Sequence, residues 1–271
     1  MISLYGCGFI GRKFKEIYDS QVEIQSKDER VPKNNDILYM ISTTHNYNVH
    51  DNITLDVETN LKVLCEVLDF CRSKDITFNF VSSWFVYGQG MLPAKEDSIC
   101  NPTGFYSITK LCAENLIKSF ADTYGMKYRI LRLCNVLGPA DHNQSRKKNA
   151  IGWMIDELKA DRNVKLYDNG SHTRDVMHVS DVCRAIKLVM EKGNINEIYN
   201  IGSGNPTTVS ELMTLAKHYS RSRGELLNME PPDFHKAVQT QNFWMDISKL
   251  KSLGFEQHLS NEYIVKDLCI A

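Results

Sequence analysis

Tyr106 and Lys110 stand four residues apart in the stretch Asn101-Pro-Thr-Gly-Phe-Tyr-Ser-Ile-Thr-Lys-Leu-Cys-Ala-Glu114. On a helix that spacing puts both side chains on one face. An ammonium beside a phenol favours the phenolate, so the Tyr106 pKa is expected to fall from about 10 toward neutrality. Such a tyrosine exchanges a proton with a hydroxyl or a carbonyl oxygen. Tyrosine and lysine also fall at this spacing on helices where both are merely solvated, so the pair needs company. Ser83 provides it. It follows the apolar run Ile76-Thr-Phe-Asn-Phe-Val81, and a serine at a strand's C-terminal end can donate to the same oxygen that Tyr106 serves.

A second group lies at the start of the chain. The apolar run Ile2 to Tyr5 leads into Gly6-Cys-Gly8-Phe9-Ile10-Gly11 and then a helix-like segment, Arg12 to Tyr18. GxGxxG between a strand and a helix lets the backbone approach a pyrophosphate held at the helix N-terminus. The pattern predicts a dinucleotide site. After the next strand, Val22 to Gln25, an NAD enzyme usually carries an acidic residue for the ribose 2′-hydroxyl. Here Ser26 and Lys27 come first and Asp28 only afterwards, which tilts the expected cofactor, NAD or NADP, toward NADP.

The elements that must position these groups alternate. Asp36 to Ile41 reads as a third strand, ending at Ser42, with too short a path from Gln25 for a full crossover helix. Val57 to Arg72 is a helix by period, with Val57, Leu61, Leu64, Leu68 and Cys71 as its stripe and Asn60 near its start. Thr103 to Tyr124 is a helix with a Cys112, Leu116, Phe120 stripe, and Tyr128 to Cys134 a strand before Asn135-Val-Leu-Gly-Pro139. Strand, helix, strand, helix without hairpin signals predicts a doubly wound parallel α/β sheet, a Rossmann fold. After Pro139 the pattern changes. A polar, basic stretch over 141–149, expected to be mobile, precedes a helix over 151–159, a strand Val164 to Tyr167 and a turn at Asp168-Asn-Gly170. Arg174-Asp175 and a helix over 182–191 follow, then a strand over 198–201, a helix over 209–219 and a short helix before Gly254. Residues 1–138, rejoined by 174–201, are read as the dinucleotide-binding domain. Residues 139–173 and 202–271 are read as a smaller C-terminal substrate-binding lobe.

The bulk composition excludes several classes. A chain of 271 residues can bury a sizeable core. With 42% hydrophobic and 24% charged residues and a net charge of −1, nothing supports a nucleic-acid or membrane-surface partner. No apolar run is long enough to span a bilayer, and the N-terminal stretch does not read as a signal peptide. Eight scattered cysteines without a CxxC pair fit reduced, buried thiols in a cytoplasmic protein. No metal site is expected.

Taken together, the motifs resemble those of the extended short-chain dehydrogenase/reductases, specifically the nucleotide-sugar epimerases, dehydratases and reductases. Gly8-Phe-Ile-Gly11, Val81-Ser-Ser83 with Val86-Tyr-Gly88, and Tyr106 to Lys110 with Leu111-Cys-Ala-Glu114 are similar to that family's elements. So are Leu131 through Asn135 to Pro139, Gly170 through Arg174-Asp175 to Asp181, and Tyr199-Asn-Ile-Gly202 with Asp246. The resemblance implies a catalytic Ser83, Tyr106 and Lys110, with Lys110 also holding the cofactor ribose. It implies that Asn60 supports the active-site water and lysine. It implies substrate contacts from Asn135, Tyr167 and Arg174, Arg174 on a pyrophosphate, which its planar fork suits. A nucleotide-diphosphate sugar is the implied substrate, hydride transfer at a sugar carbon the implied chemistry, and a homodimer the implied assembly.

Departures narrow the expectation. Tyr5 stands where the family's longer glycine motif has its first glycine. Trp84 and Phe85 replace the acidic pair of the 4,6-dehydratases, which speaks against dehydration. No arginine occupies 229–236, where many members hold a second phosphate ligand; His235 and Lys236 are the candidates there. The resemblance implies an epimerase working through a 4-keto intermediate, the commoner activity for this motif set, while the short second crossover and Ser26-Lys27 tilt toward a reductase. The alternatives are an NADPH-dependent reductase of a 4-keto-6-deoxyhexose nucleotide and a non-catalytic dinucleotide-binding protein.

Overall fold

The computed structural model describes residues 1–26, 28–141, 148–238 and 241–270. Six strands form one parallel sheet: β1 (Ile2–Tyr5), β2 (Val22–Ile24), β3 (Asp36–Tyr39), β4 (Thr77–Ser83), β5 (Lys127–Leu133) and β10 (Glu197–Ile201). Their spatial order is β2-β1-β3-β4-β5-β10. The order reverses beside β1, and ligands bind outside the strand ends at such a switch point. Among the described residues no helix intervenes between β2 and β3, in keeping with the short second crossover read from the sequence.

Side chains alternate across the sheet, as a two-residue period requires. Leu4 and Leu38 enter one core with Phe14 of α1 (Phe9–Ile17) and with Val182, Ile186 and Val189 of α6 (Val179–Lys192). Tyr5, Ile37 and Tyr39 enter the opposite core. There they meet Leu64 and Leu68 of α3 (Val63–Phe70) and Ala113, Ile117 and Ala121 of α4 (Phe105–Tyr124). The sheet is thus doubly wound, as predicted.

The expected stripe on α4 is displaced. Ala113, Ile117 and Ala121 face the sheet, while Cys112, Leu116 and Phe120 are half-buried. One residue along a helix rotates the face by about 100°, and the small alanines let the helix approach the strands. The helix predicted over 57–72 comprises α2 (Leu55–Val57), a π-helical turn Glu58–Lys62 and α3. The wide turn shifts the period, leaving Val57 45% exposed rather than in the stripe. α6 begins three residues earlier than expected, because the His178 ring accepts from the Ser180 N–H as a cap at 3.1 Å. Of the eight free cysteines only Cys71, Cys134 and Cys183 are buried, and Cys65 is exposed.

After the sheet come β6 (Asn135–Leu137), α5 (Ala150–Lys159), β7 (Val164–Tyr167), β8 (Thr173–Arg174) and β9 (Val176–His178). Beyond β10 lie β11 (Thr207–Thr208), α7 (Val209–Ser220), β12 (Leu226–Met229), α8 (Asp233–Val238), α9 (Ser248–Ser252) and α10 (Asn261–Ile270). β6 pairs with β9 and β7 with β12, both parallel, and β8 pairs antiparallel with β11. Ile151 and Ile155 of α5, Leu212 and Met213 of α7 and Ile264 and Leu268 of α10 share a third core. In the stretch 141–149, residues 142–147 lie outside the described ones. Asp141 is buried, and Asn149 caps α5 by accepting from the Gly152 N–H at 3.3 Å.

Candidate active site

β1 delivers Gly6 into a turn with φ +92°, where a side chain would sit 2.7 Å from the Met40 carbonyl carbon. A Cβ at Gly11 would lie 2.3 Å from the Gly6 oxygen, so the loop and α1 pack backbone to backbone. Gly8 by contrast faces open space. α1 starts there with no side-chain cap and no acid in its first turn, leaving its N–H groups for an anion. These features fit a dinucleotide pyrophosphate. Gly6, Gly8, Phe9, Ile10, Gly11, Ser26 and Ser42 all line one cleft of about 1030 Å³, together with Ser83, Tyr106 and Lys110. Lys27 lies outside the described residues.

Ser83 is the last residue of β4, and its side chain faces the same cleft as the Tyr106 phenol, whose pKa it acts to lower. Its Oγ also accepts from the Phe85 N–H at 3.3 Å. Tyr106 and Lys110 sit one turn apart at the start of α4, both buried. Lys110 Nζ donates to the Val81 carbonyl at 2.6 Å and lies 4.4 Å over the Phe80 ring. The predicted depression of the tyrosine is not found. Burial pushes Tyr106 up to about 12, against the opposing Ser83 hydrogen bond, with the Asp56 charge adding to the rise. Burial also pushes Lys110 down to about 7, with Glu114 opposing. With both groups out of water, desolvation outweighs what either charge offers the other.

Asn60 stands behind the cleft wall rather than on it. Its Oδ1 accepts from Ser42 Oγ at 3.0 Å and the Thr43 N–H at 2.8 Å. Its Nδ2 donates to Thr43 Oγ1 at 2.8 Å and Thr109 Oγ1 at 2.9 Å. It therefore ties the end of β3 to the residue before Lys110.

A second cleft of about 500 Å³ shares Thr44, Trp84, Phe85, Asn135 and Asn149 with the first. Asn135 Nδ2 donates to the Asp175 carbonyl at 3.2 Å. Tyr167 and Arg174 line this cleft, as do His45 and His50. Arg174 Nη1 donates to the carbonyls of Thr173 and Gln241 at 2.8 and 2.6 Å. No carboxylate among the described residues forms an ion pair with it, and burial pushes its guanidinium down to about 10. A half-buried cation of this kind is suited to an anionic ligand. His235, not Lys236, faces the cleft. Its Nδ1 lies 2.8 Å from the Tyr47 hydroxyl and its ring 4.5 Å from that of Tyr167, whereas Lys236 pairs with Glu230 at 3.7 Å.

Sequence reasoning missed several wall residues. Trp84 and Phe85, which stack at 4.0 Å, were read only as lost acids; the Phe85 ring stands edge-on to Tyr106 at 6.0 Å. Tyr47 and Phe234, with rings 5.2 Å apart, come from distant segments, and no local pattern links them. Gln25 also lines the cofactor cleft; its position directly after β2 was the available signal.

A doubly wound sheet with a glycine loop at its switch point and a Ser-Tyr-Lys group at the neighbouring strand ends defines a nicotinamide-dinucleotide enzyme of the short-chain dehydrogenase/reductase type. The chain belongs to the NAD dependent epimerase/dehydratase family, whose model matches residues 15–202. It is 29% identical over 250 residues to the putative UDP-glucose 4-epimerase of Methanocaldococcus jannaschii, covering 90% of this chain and 79% of that one. Of two further curated relatives the match spans 65% and 60% of their length. The UDP-glucose 4-epimerase of Thermotoga maritima, solved with UDP-glucose, superposes with a TM-score of 0.87 at 23% identity, covering 99% of this chain and 97% of that one. The RMD protein of Pseudomonas aeruginosa, solved with NADPH, gives 0.85 at 20% identity, covering 99% and 97%. At these identities the likeness to solved structures is one of fold. Among the described residues no helix is long and apolar enough to cross a membrane.

Proposed function

We propose that the protein is a nucleotide-sugar epimerase, acting on a nucleotide-diphosphate sugar through a 4-keto intermediate. The observation that carries this reading is that Ser83 and Tyr106 line the cofactor cleft beside Trp84 and Phe85, which both clefts share. The relatives named as epimerases support it. A bound nicotinamide dinucleotide would supply hydride transfer, and its oxidised ring a positive charge. The chain's own residues handle the proton. With its pKa raised, Tyr106 holds its proton at neutral pH and donates it to a ketone oxygen. In the opposite direction it must act as the phenolate, which positive charge in the cofactor cleft favours. Ser83 orients the substrate oxygen by a second hydrogen bond. Lys110, anchored on the Val81 carbonyl, holds the cofactor ribose. Gly6, Gly8, Phe9, Ile10, Gly11, Ser26 and Ser42 hold the dinucleotide, with Asn60 bracing the strand end. Arg174 binds the substrate diphosphate, with Asn135 and Tyr167 beside it.

In this reading residues 1–138 with 174–201 bind the cofactor and residues 139–173 with 202–271 the substrate. The protein works as a homodimer. Phe70 of α3 and Phe105 and Ile108 of α4 are 40–49% exposed and give these helices an apolar outer face. Reduced thiols and the absence of a spanning helix among the described residues accord with a cytoplasmic setting.

The test is a panel of nucleotide sugars incubated with the purified protein, with and without added NADPH. An epimerase interconverts two sugars with no net cofactor use. Stoichiometric NADPH consumption with a 4-keto sugar would instead establish a reductase, and no turnover with any sugar would favour a dinucleotide-binding protein.

A further inference from the structure

The two clefts meet at Thr44, Trp84, Phe85, Asn135 and Asn149. Phe85 is half-buried, and its ring stands edge-on to that of Tyr106, centroids 6.0 Å apart. Behind it the rings form a column. Trp84 lies 4.0 Å from Phe85, Phe243 4.6 Å from Trp84, and Tyr87 5.8 Å from Phe243. Trp84, Phe243 and Tyr87 are buried, and the Tyr87 hydroxyl donates to Asn200 Oδ1 at 2.6 Å. The Phe85 N–H is held by Ser83 Oγ. Phe85 is thus the open end of a packed column with its backbone tied to the serine, and close packing leaves it no room to withdraw. Polar groups at this junction are few and largely engaged. Asn149 uses Oδ1 on the Gly152 N–H and Nδ2 on Asp141 at 3.0 Å. Asn135 Nδ2 is engaged by the Asp175 carbonyl. The Asn135 side-chain oxygen and the Thr44 hydroxyl are left. Among the described residues no aspartate or glutamate lines the second cleft.

We infer that Phe85 determines which sugar is accepted, and that it selects a nucleotide-diphosphate 6-deoxyhexose whose C6 methyl packs on its ring. The inference rests on the reading of the protein as a nucleotide-sugar epimerase reacting at C4. In the sugar ring C4 has two neighbours. C3 carries a hydroxyl, which the Asn135 oxygen and the Thr44 hydroxyl suit. With C3 turned toward those groups, C5 and its substituent C6 turn toward Phe85. A methyl at C6 gains by leaving water for an aromatic surface. A hydroxymethyl gives up its hydration there and meets only carbon. Because the ring column is fixed, the wall cannot make room for the extra oxygen by moving aside.

The experiment compares UDP-6-deoxyglucose with UDP-glucose, and dTDP-6-deoxyglucose with dTDP-glucose, pairs that differ only in the C6 oxygen. Two readouts are taken on protein saturated with NAD, or with NADP where that binds more tightly: kcat/KM for C4 epimer formation by chromatography, and Kd by calorimetry. The wild type should favour the 6-deoxy member by about tenfold to a hundredfold in kcat/KM and by at least about fivefold in Kd. Phe85→Ser, which opens space and adds a hydroxyl, should bring the two members within about threefold of each other. Phe85→Leu keeps an apolar wall and should keep the preference; its loss there would count against the inference. Equal or better use of the 6-hydroxy member by the wild type would overturn it, as would an unchanged ratio in Phe85→Ser. If the serine variant does not fold, the wild-type ratio decides. Tighter binding of the 6-deoxy member without epimer formation would sink the epimerase reading and leave the selection by Phe85 standing. Epimer formation without a 6-deoxy preference would do the reverse, and binding of no nucleotide sugar would remove both.

Discussion

Glu114 and Arg132 form an ion pair in the centre of the molecule, and removing one partner should destabilise the fold far more than removing both. Glu114 lies one turn beyond Lys110 on α4, and its side chain is 0% exposed, that of Arg132 2%. Its two oxygens accept from Arg132 Nε at 3.1 Å and Nη2 at 2.7 Å, and Oε1 also accepts from Ser82 Oγ at 2.6 Å. Arg132 Nη1 reaches the Glu96 carbonyl at 3.2 Å, and its guanidinium lies 4.7 Å from the Tyr87 ring centroid. In Glu114→Ala the guanidinium loses both charge-assisted bonds but stays charged and buried, which costs about 3–5 kcal/mol. For a chain of this size each kcal/mol shifts Tm by roughly 2–4 °C, so a fall of about 6–20 °C is expected. Glu114→Leu combined with Arg132→Met exchanges the pair for apolar side chains and should recover most of the loss, because two desolvation penalties vanish with the attraction. Urea denaturation of the wild type, Glu114→Leu, Arg132→Met and the variant carrying both gives the coupling energy directly. A loss below about 1 kcal/mol in Glu114→Ala, or additive losses in the double variant, would refute the reasoning.

Other outcomes follow from the site. Tyr106→Phe should lower turnover by about 10²–10⁴-fold while leaving NADH binding within about twofold, measured by steady-state kinetics and fluorescence titration; unchanged turnover would remove Tyr106 from the proton transfer. Lys110 has a folded pKa of about 7, below its unfolded value of about 10.4. Below pH 7 both states carry the charge and its burial cost is full. Between these values the unfolded chain binds the extra proton, so stability rises with pH by up to about 1.4 kcal/mol per unit and levels off above. Relative to Lys110→Met, the wild type should therefore gain stability from pH 7 to 9.5 in urea titrations, and a flat difference would contradict the assignment. Ile108→Lys, on the exposed face of α4, should convert a dimer to a monomer in light scattering without loss of secondary structure. A wild type that is already monomeric would dispose of the proposed assembly.

Much of the architecture was legible because continuous apolar runs and helix period report burial directly. β1, β3, β4 and β5 are apolar runs buried on both faces, and the helices carrying Phe14, Leu64 and Tyr106 each bury one face. The residues proposed for the site were legible for a different reason: Gly6 to Gly11, Ser83, Tyr106 and Lys110 lie in motifs that resemble the family's, and the structure brings them to one cleft. What was not legible depends on long-range packing. The pairing of β7 with β12 joins short strands roughly sixty residues apart, and the Tyr47–His235 contact spans 188 positions. α10 lacked a clear amphipathic signal, though Ile264, Val265 and Leu268 are buried. The protonation expected of Tyr106 failed because spacing shows which groups are neighbours but not how much water they lose.

The π-helical turn Glu58–Lys62 has a consequence for how the gene can vary. A turn of this kind holds one residue more than an α-helical turn, and such insertions recur at functional sites. Deleting a single residue between 58 and 62 would restore regular winding, yet rotate everything before it by about 100° against α3. Asn60 would then swing away from Thr43 and Thr109, and no substitution elsewhere in that helix could return its amide to both. The segment tolerates changes of residue type on its outer face while its length is fixed to the single residue.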